Sequence, residues 1–198
     1  MFSRAKLFAA PALALAMFTG VGCETAPKTE TQRENLVDEA QASLKSMQGV
    51  DPTLASFLDR GYGYVIFPNV GKGGFVAGGA YGKGSVYEQG KFIGYADVRQ
   101  GTVGLQAGGQ NFSELIVFEN KAALDQFTNN SFEFAANASA VAIKPGVSKS
   151  TNFDKGMVVF THPKGGLMVE AAIGGQQFTF ANAIAPTNTA GVHEVHTD

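Results

Sequence analysis

From residue 62 onward, apolar and polar positions alternate along the chain, which is the period of half-buried β-strands. Glycine, proline or asparagine separates most of these runs and predicts turns between them. The predicted strands cover residues 62–67, 75–81, 85–87, 92–98, 102–110, 112–118, 132–142, 157–161, 167–173 and 177–181. Short strands with closely spaced turns predict an antiparallel barrel or sandwich. Alternating glycine and alanine favour a small, strongly curved barrel, with Phe134 in its core.

The pattern before residue 62 has the helical period instead. Thr31 and Glu34 match a capping box, and the apolar positions that follow recur at helical spacing until Gly49. Asp51 and Pro52 predict the start of a second helix. Residues 24–59 carry a formal charge of −4, whereas a helix on a membrane surface is usually basic. We therefore expect both helices to dock on the core rather than on a membrane, which gives an α+β, mainly β fold: an antiparallel small β-barrel or sandwich flanked by N-terminal helices.

The first 22 residues have the pattern of a signal peptide. Two basic residues precede an uncharged, mostly apolar run over residues 7–21, which is too short to span a bilayer as a helix. Small residues then lead to Cys23, and this arrangement resembles a bacterial lipobox, in which the cysteine is acylated. Ordinary signal cleavage nearby is the alternative. We predict a signal peptide (1–22), a lipidated tether (23–30), a folded domain (31–184) and a flexible tail (185–198).

Composition narrows the function classes. The chain has 198 residues and a formal charge of −2, which becomes −4 once residues 1–22 are removed, so a general nucleic-acid binder is not expected. The single cysteine excludes an internal disulfide framework and any CxxC metal or redox site. Although 25 residues are glycine, they follow no collagen period.

Motifs for catalysis are mostly missing. Residues 71–79 are glycine-rich but match neither the dinucleotide-binding nor the P-loop fingerprint, and the chain contains no GxSxG nucleophile elbow. His162 precedes a predicted turn, and the other two histidines lie in the tail. Asp97, Glu114 and Glu170 could supply a carboxylate pair, although their spacing does not bring them together. We expect no enzymatic activity, no cofactor and no metal site.

The charge distribution gives one positive indication. Residues 60–164 carry a formal charge of +3, while the rest of the chain is negative. Exposed lysines in loops can hold anionic headgroups, and backbone N–H groups can assist. The candidate headgroup-binding residues are Lys144, Lys149, Lys155 and Lys164, opposed nearby only by Asp154, with Lys72 and Lys83 as a second group in glycine-rich turns. The alternative is that these loops carry lysine only as solvated surface.

Residues 54–180 resemble the SYLF domain family, also called the Ysc84 or DUF500 family. RGYGYVIFPNV at residues 60–70 is similar to its opening strand, and GKGGFVAGGAYGKGSV at 71–86 to its glycine-rich hairpin. GLQAGGQNFSELIVFE, which leads into AALDQF, is similar to the central signature at 104–127. GGLMVEAAIG at 165–174 is similar to the closing strand.

The resemblance implies phospholipid binding. In eukaryotic relatives the domain is linked to phosphoinositide membranes and actin assembly, often beside an SH3 domain, and bacterial members are commonly secreted or lipoprotein forms. This sequence shows no SH3 extension, so the actin context is not carried over. Its acidic first helix also departs from the family's membrane-binding pattern, which argues against lipid binding by helix insertion.

Together these features predict a membrane-anchored lipoprotein of the bacterial cell envelope, in the outer membrane and facing the periplasm. Its SYLF-like domain is expected to bind anionic, phosphoinositide-like phospholipid headgroups. The predicted partner is thus a phospholipid membrane, not nucleic acid, and an envelope protein partner remains open. The alternative function is a non-enzymatic envelope-maintenance module that binds a protein or a glycan.

Overall fold

The computed structural model describes residues 25–74, 77–103, 110–129, 140–164 and 176–183. Two helices come first, and strands make up most of the remainder. The helices are α1 (Glu30–Val50), α2 (Leu54–Arg60), α3 (Lys121–Thr128) and α4 (Val147–Ser150). The strands are β1 (Gly63–Gly74), β2 (Ala77–Glu88), β3 (Lys91–Val103), β4 (Gln110–Phe118), β5 (Val141–Ala142), β6 (Met157–Pro163) and β7 (Gln176–Asn182).

The strands form one sheet in the order β5-β6-β4-β1-β2-β3-β7. All neighbouring pairs are antiparallel except β5 and β6, which are parallel. β1, β2 and β3 follow one another in the chain with no helix between them, as antiparallel neighbours can. The α+β, mainly β prediction with N-terminal helices is confirmed. The sheet is open rather than a closed barrel, with β5 and β7 as its edges in the described chain.

The sheet curls around its own core. Phe178 on the edge strand β7 lies 5.8 Å from Phe67 of β1 and 5.5 Å from Phe127 of α3, measured between ring centroids. Gly84 makes room for this contact, since a Cβ at that position would lie 2.6 Å from the Phe67 ring. The concave face and α3 therefore enclose an apolar core that includes Phe67, Phe112, Ile116, Phe118, Phe127 and Phe178.

The opposite, convex face is covered by α1 and α2. The buried side of α1 is formed by Leu36, Ala40, Ser43, Leu44 and Met47, at the three- and four-residue spacing of an amphipathic helix. Ala40, Leu44 and Met47 pack with Phe57 of α2 against strand residues such as Leu115 and Phe160, and Leu36 packs against Tyr95. The expectation that both helices dock on the core agrees with this packing.

The predicted helix starts were wrong at both helices. The capping box of α1 is formed by Thr29 and Gln32, not by Thr31 and Glu34. The upstream start lengthens the helix and lets Arg33 Nε donate to the Pro27 carbonyl oxygen at 3.0 Å. Asp51 does not begin α2, which starts at Leu54; it is the C-cap of α1.

Several predicted strand boundaries also differ. Residues 75–81 and 85–87 belong largely to one long strand, β2, and β1 continues beyond Pro68 to Gly74. Of the predicted strand 132–142, the described part contains only β5, Val141–Ala142. Phe134 lies outside the described residues, as do the predicted strand 167–173 and Cys23.

Candidate functional site

Four of the predicted lysines flank the β5–β6 edge of the sheet. Lys144 follows β5, Lys149 lies in α4, Lys155 precedes β6, and Lys164 follows β6. All four are exposed. Between residues 140 and 164, Asp154 is the sole acidic residue, so this segment has a formal charge of +3.

Lys155 and Lys164, the two lysines beside β6, lie at opposite ends of that strand. The strand has seven residues at about 3.4 Å each, so the two lysines are more than about 20 Å apart. β5 runs parallel to β6, and Ala142 pairs with Thr161, so Lys144 lies towards the Lys164 end. The structure therefore brings Lys144 and Lys164 to the same end of the sheet and places Lys155 at the other.

A buried carboxylate fixes the loop that carries Lys144 and Lys149. Asp51 accepts hydrogen bonds from the backbone N–H groups of Gly146 at 3.1 Å and Ser148 at 2.8 Å. It also accepts from the hydroxyl groups of Ser148 at 2.7 Å and Thr53 at 2.6 Å, and from the Thr53 N–H at 3.1 Å. Burial alone would raise the pKa of Asp51, but these hydrogen bonds outweigh it and hold the pKa well below its usual range.

The second lysine group is placed differently from the prediction. Lys72 and Lys83 lie in strands β1 and β2, not in turns, so that placement was wrong. The flanking glycines of Lys83 are strand residues, and a Cβ at Gly82 would lie 2.7 Å from the Asn69 carbonyl oxygen. β2 is three strand spacings from β6, about 14 Å, so Lys83 lies away from the β5–β6 edge.

Lys83 already has partners on the convex face. Its Nζ lies 3.0 Å from Asp97 Oδ1 and donates to the Thr25 carbonyl oxygen at 2.8 Å. Burial raises the pKa of Asp97, and the hydrogen bond and charge of Lys83 oppose that shift. The arrangement ties the start of the described chain to β2 and β3.

The N-terminal segment is consequently packed on the domain from Thr25 onward. The Thr25 and Thr179 hydroxyl oxygens are 3.0 Å apart, and Ala26 is buried against Leu36 and Tyr95. The segment predicted as a tether thus packs on the domain at Thr25 and Ala26. The carbonyl oxygen of Thr25 contacts Lys83 and its hydroxyl group contacts Thr179, and such contacts cannot be predicted from composition.

The candidate carboxylates do not form a catalytic pair among the described residues. Asp97 lies on the convex face with Tyr95, while Glu114 lies on the same face of β4 as Phe112 and Ile116, towards the concave core. Glu170 lies outside the described residues, as do the two histidines of the tail. His162 is half-buried in β6 and pairs in register with Ser113.

Glu114 makes a contact that sequence reasoning did not find. Gln176 Nε2 donates to Glu114 Oε2 at 2.9 Å, which links β4 to the edge strand β7 across the concave face. Glu114 is fully buried, and burial raises its pKa to about 7 although the hydrogen bond from Gln176 lowers it. An acidic residue inside the apolar run 112–118 was the available signal, but its partner lies 62 positions away.

Within the described ranges, no helix combines the length and the hydropathy that crossing a bilayer requires. The same residues contain no group of three or more His, Cys, Asp or Glu side chains that could hold a metal ion.

A curved antiparallel sheet with helices on its convex face and a lysine-flanked edge therefore defines this domain. Residues 99–184 match the Ysc84 family model, described as "Las17-binding protein actin regulator". The resemblance to the SYLF (Ysc84) family is thereby confirmed for this part of the chain. The chain is also similar to beta cell expansion factor A of Aeromonas veronii, with 24% identity over 165 residues. The match covers 82% of this chain but 62% of that protein, so the chain spans less than two thirds of its relative's length.

Proposed function

We propose that this protein is a lipid-anchored cell-envelope protein that uses its lysine-flanked β5–β6 edge to bind anionic phospholipid headgroups. The observation that carries the proposal is the group of exposed lysines around one sheet edge, with Asp154 as the opposing acid in the segment. A lysine close to an anionic membrane contributes about 1 kcal/mol of binding free energy. Several such residues on one edge provide useful affinity even though the mature chain is acidic overall.

The chemistry of the edge favours recognition of charge over recognition of one headgroup. The N–H groups of Gly146 and Ser148 could have formed an anion-binding loop, but both donate to Asp51. Headgroup contacts at this loop then rely on the lysine ammonium groups. Binding of this kind is screened by salt and depends mainly on the density of anionic lipid.

The comparisons support the domain assignment and leave the ligand to experiment. The family resemblance implies phospholipid binding, and the matched residues 99–184 include all four lysines of the edge. The name of the Aeromonas relative concerns beta cell expansion, and this chain spans only part of that protein. We therefore propose binding without catalysis and do not transfer the relative's activity.

The test is co-sedimentation of the mature chain, produced without its acyl group, with neutral and anionic vesicles. Replacing Lys144, Lys149, Lys155 and Lys164 by glutamine is expected to weaken anionic-vesicle binding by a factor on the order of hundreds. The matched control replaces four lysines elsewhere by glutamine, with the same change in charge: Lys28, Lys45, Lys91 and Lys121.

The two variants separate a local site from a general charge effect. The control is expected to retain most of the binding, and binding of the wild-type chain should fall as salt is added. Equal losses in both variants, or binding that ignores salt, would remove the edge as the headgroup site. An absence of vesicle binding by the wild-type chain would favour the protein or glycan partner instead.

Anchoring is tested separately at Cys23. The thiol is the sole attachment point for a diacylglyceryl group in this chain, because Cys23 is its one cysteine. Cys23→Ser is expected to leave an uncleaved precursor or a soluble protein, whereas the wild-type protein enters the detergent phase. Identical processing and partitioning of the two proteins would show that Cys23 is not the anchor.

A further inference from the structure

Glu114 and Gln176 join two strands that are not neighbours in the sheet. Three strands, β1, β2 and β3, lie between β4 and β7 in the strand order. In a flat sheet that order would keep β4 and β7 at least about 19 Å apart, because neighbouring strands are about 4.8 Å apart. The sheet curls so strongly that Gln176 Nε2 instead reaches Glu114 Oε2 at 2.9 Å. This hydrogen bond therefore spans the concave face from β7 to β4.

Aromatic contacts lie beside the hydrogen bond. Phe178 comes two residues after Gln176, on the same face of β7, and its ring centroid lies 5.8 Å from that of Phe67 and 5.5 Å from that of Phe127. Phe67 also pairs in register with Glu114, so the polar and the apolar contacts are adjacent. Separation of β7 from β4 would therefore expose apolar rings together with the carboxyl group.

The contact has too few donors when Glu114 is ionised. Gln176 donates through Nε2, whereas Glu114 Oε1 and Gln176 Oε1 are buried and have no partner among the described groups. A proton on the carboxyl group replaces one of these acceptors by an O–H donor. Without the proton, two buried acceptors stay unpaired and one of them belongs to an anion, which is costly in an apolar core.

Among the described residues, no charge beside Glu114 offsets its own. Glu114 pairs in register with Phe67 of β1 and Thr161 of β6, and neither side chain ionises. The apolar core contributes neutral side chains from β2, β3, β7 and α3. The ionisable side chains described at the margin of this core lie near the start of β1, about 17 Å along the strand from Phe67: Tyr62, Glu88, Lys121 and Asp125.

The two partners differ in how firmly the sheet holds them. Glu114 lies within β4, which is hydrogen-bonded in register to β1 on one side and to β6 on the other. Gln176 is the first residue of β7, and its pairing with Gln100 is the end of the ladder that joins β3 and β7. Because a ladder opens more readily at its end than in its middle, the contact is expected to open on the β7 side.

We propose that Glu114 and Gln176 form a proton-controlled latch, in which the protonated carboxyl group holds the start of β7 against β4 and loss of the proton lets β7 open. The curled sheet then has a closed form and an open form that exposes part of the concave core. This inference concerns a contact inside the fold and is independent of headgroup binding.

The latch should respond near neutral pH. Burial raises the pKa of Glu114 from 4.5 to about 7, although the hydrogen bond from Gln176 lowers it. When β7 opens, the carboxyl group returns to solvent and its pKa falls back to the ordinary value, so the open form releases the proton first. The open form therefore becomes more populated as pH rises from about 4.5 to about 7 and is most populated above that range.

Native-state hydrogen exchange at two pH values tests the latch. Protection factors, corrected for the intrinsic exchange rate at each pH, are expected to be about 30-fold lower over residues 176–182 at pH 8.5 than at pH 5.5. Exchange of these residues at pH 8.5 should also change little with low concentrations of denaturant, because a local opening exposes little surface. Residues 157–163 of β6, a strand of the same length, supply the comparison.

Two glutamate substitutions assign the proton. Glu114→Gln is expected to abolish the pH dependence of protection over residues 176–182, whereas Glu119→Gln, at an exposed glutamate just after β4, should keep the wild-type change. A change that persists in Glu114→Gln would assign the proton to another group and overturn the latch.

The wild-type measurements decide the question even if Glu114→Gln does not fold. Protection over residues 176–182 that is the same at both pH values would show that Glu114 does not control β7. Exchange of these residues that depends on denaturant as steeply as that of residues 157–163 would show unfolding of the whole domain instead of a local opening. Either result would overturn the proposal.

Discussion

Asp51 and Glu114 are both fully buried, but they lie on opposite sides of the sheet and in opposite surroundings. Asp51 lies under the convex-face helices and receives five hydrogen bonds from Thr53, Gly146 and Ser148. Glu114 lies in the concave core, where Gln176 donates to Oε2 and no described group bonds to Oε1. The pKa of Asp51 is lowered, whereas the pKa of Glu114 is raised to about 7.

The comparison shows that donors, rather than burial, decide which form of a buried carboxyl is stable. Several N–H and O–H donors replace the lost hydration of an anion, and one donor does not. The contact between Glu114 and Gln176 is also compatible with a protonated, neutral Glu114 carboxyl group. Gln176 Oε1 is likewise without a partner among the described groups, and a protonated carboxyl brings the O–H donor that such an acceptor needs.

Of the substitutions at these two carboxyl residues, Asp51→Ala is expected to lower the stability of the fold the most. It leaves the buried Ser148 N–H group and the partly buried Gly146 N–H group without their acceptor, and we expect a loss of about 4 kcal/mol in the free energy of unfolding. Denaturant unfolding at pH 7 measures it. Because the same donors hold the loop of Lys144 and Lys149, hydrogen exchange over residues 144–149 should also become faster.

Asp59→Ala is the matched control, since Asp59 is an exposed aspartate of neighbouring α2. Its expected effect is within about 0.5 kcal/mol. Similar stability of the two variants would mean that the hydrogen bonds to Asp51 contribute little to the fold.

The sequence was sufficient for the features that depend on local pattern. Period-two runs predicted a mainly β domain, and helical spacing predicted two helices before it. Lys144, Lys155 and Lys164 were expected in exposed loops and are exposed outside regular strands. The turn predicted around Lys83 was wrong because the neighbouring glycines allow close packing inside a strand. At Gly84, for example, a Cβ atom would collide with the Phe67 ring.

Long-range features could not be predicted in this way. Asp51 had the local signature of an N-cap, but its main partners are 95 and 97 positions away. The Glu114–Gln176 contact exists only because the sheet curls and brings the edge strand β7 over β4. The same reason applies to the grouping of lysines by sheet end, which depends on strand order and direction rather than on spacing along the chain.

The two carboxyls should give opposite slopes to stability as a function of pH. The folded-state pKa of Asp51 is depressed, so its stabilisation is present above its unfolded pKa of about 4 and is lost as pH falls below that value. The folded-state pKa of Glu114 is raised from 4.5 to about 7. Its unfolded form releases the proton first, so stability declines as pH rises from about 4.5 and is lowest above about 7.

Glu114→Gln tests the pH dependence of stability that is attributed to Glu114. It is expected to have a smaller effect than Asp51→Ala. Glutamine keeps the shape of the neutral acid and cannot ionise, so at pH 5 the variant is expected to match the wild-type protein within about 1 kcal/mol. At pH 8 the wild-type protein must hold a buried anion with one donor, and a raised pKa of this size corresponds to about 3 kcal/mol. The free energy of unfolding of the wild-type protein should therefore be lower at pH 8 than at pH 5. The part of this change that comes from Glu114 should be absent in the variant, so the variant should be the more stable protein at pH 8. If both proteins show the same change between pH 5 and pH 8, Glu114 does not titrate in this range and its contrast with Asp51 is lost.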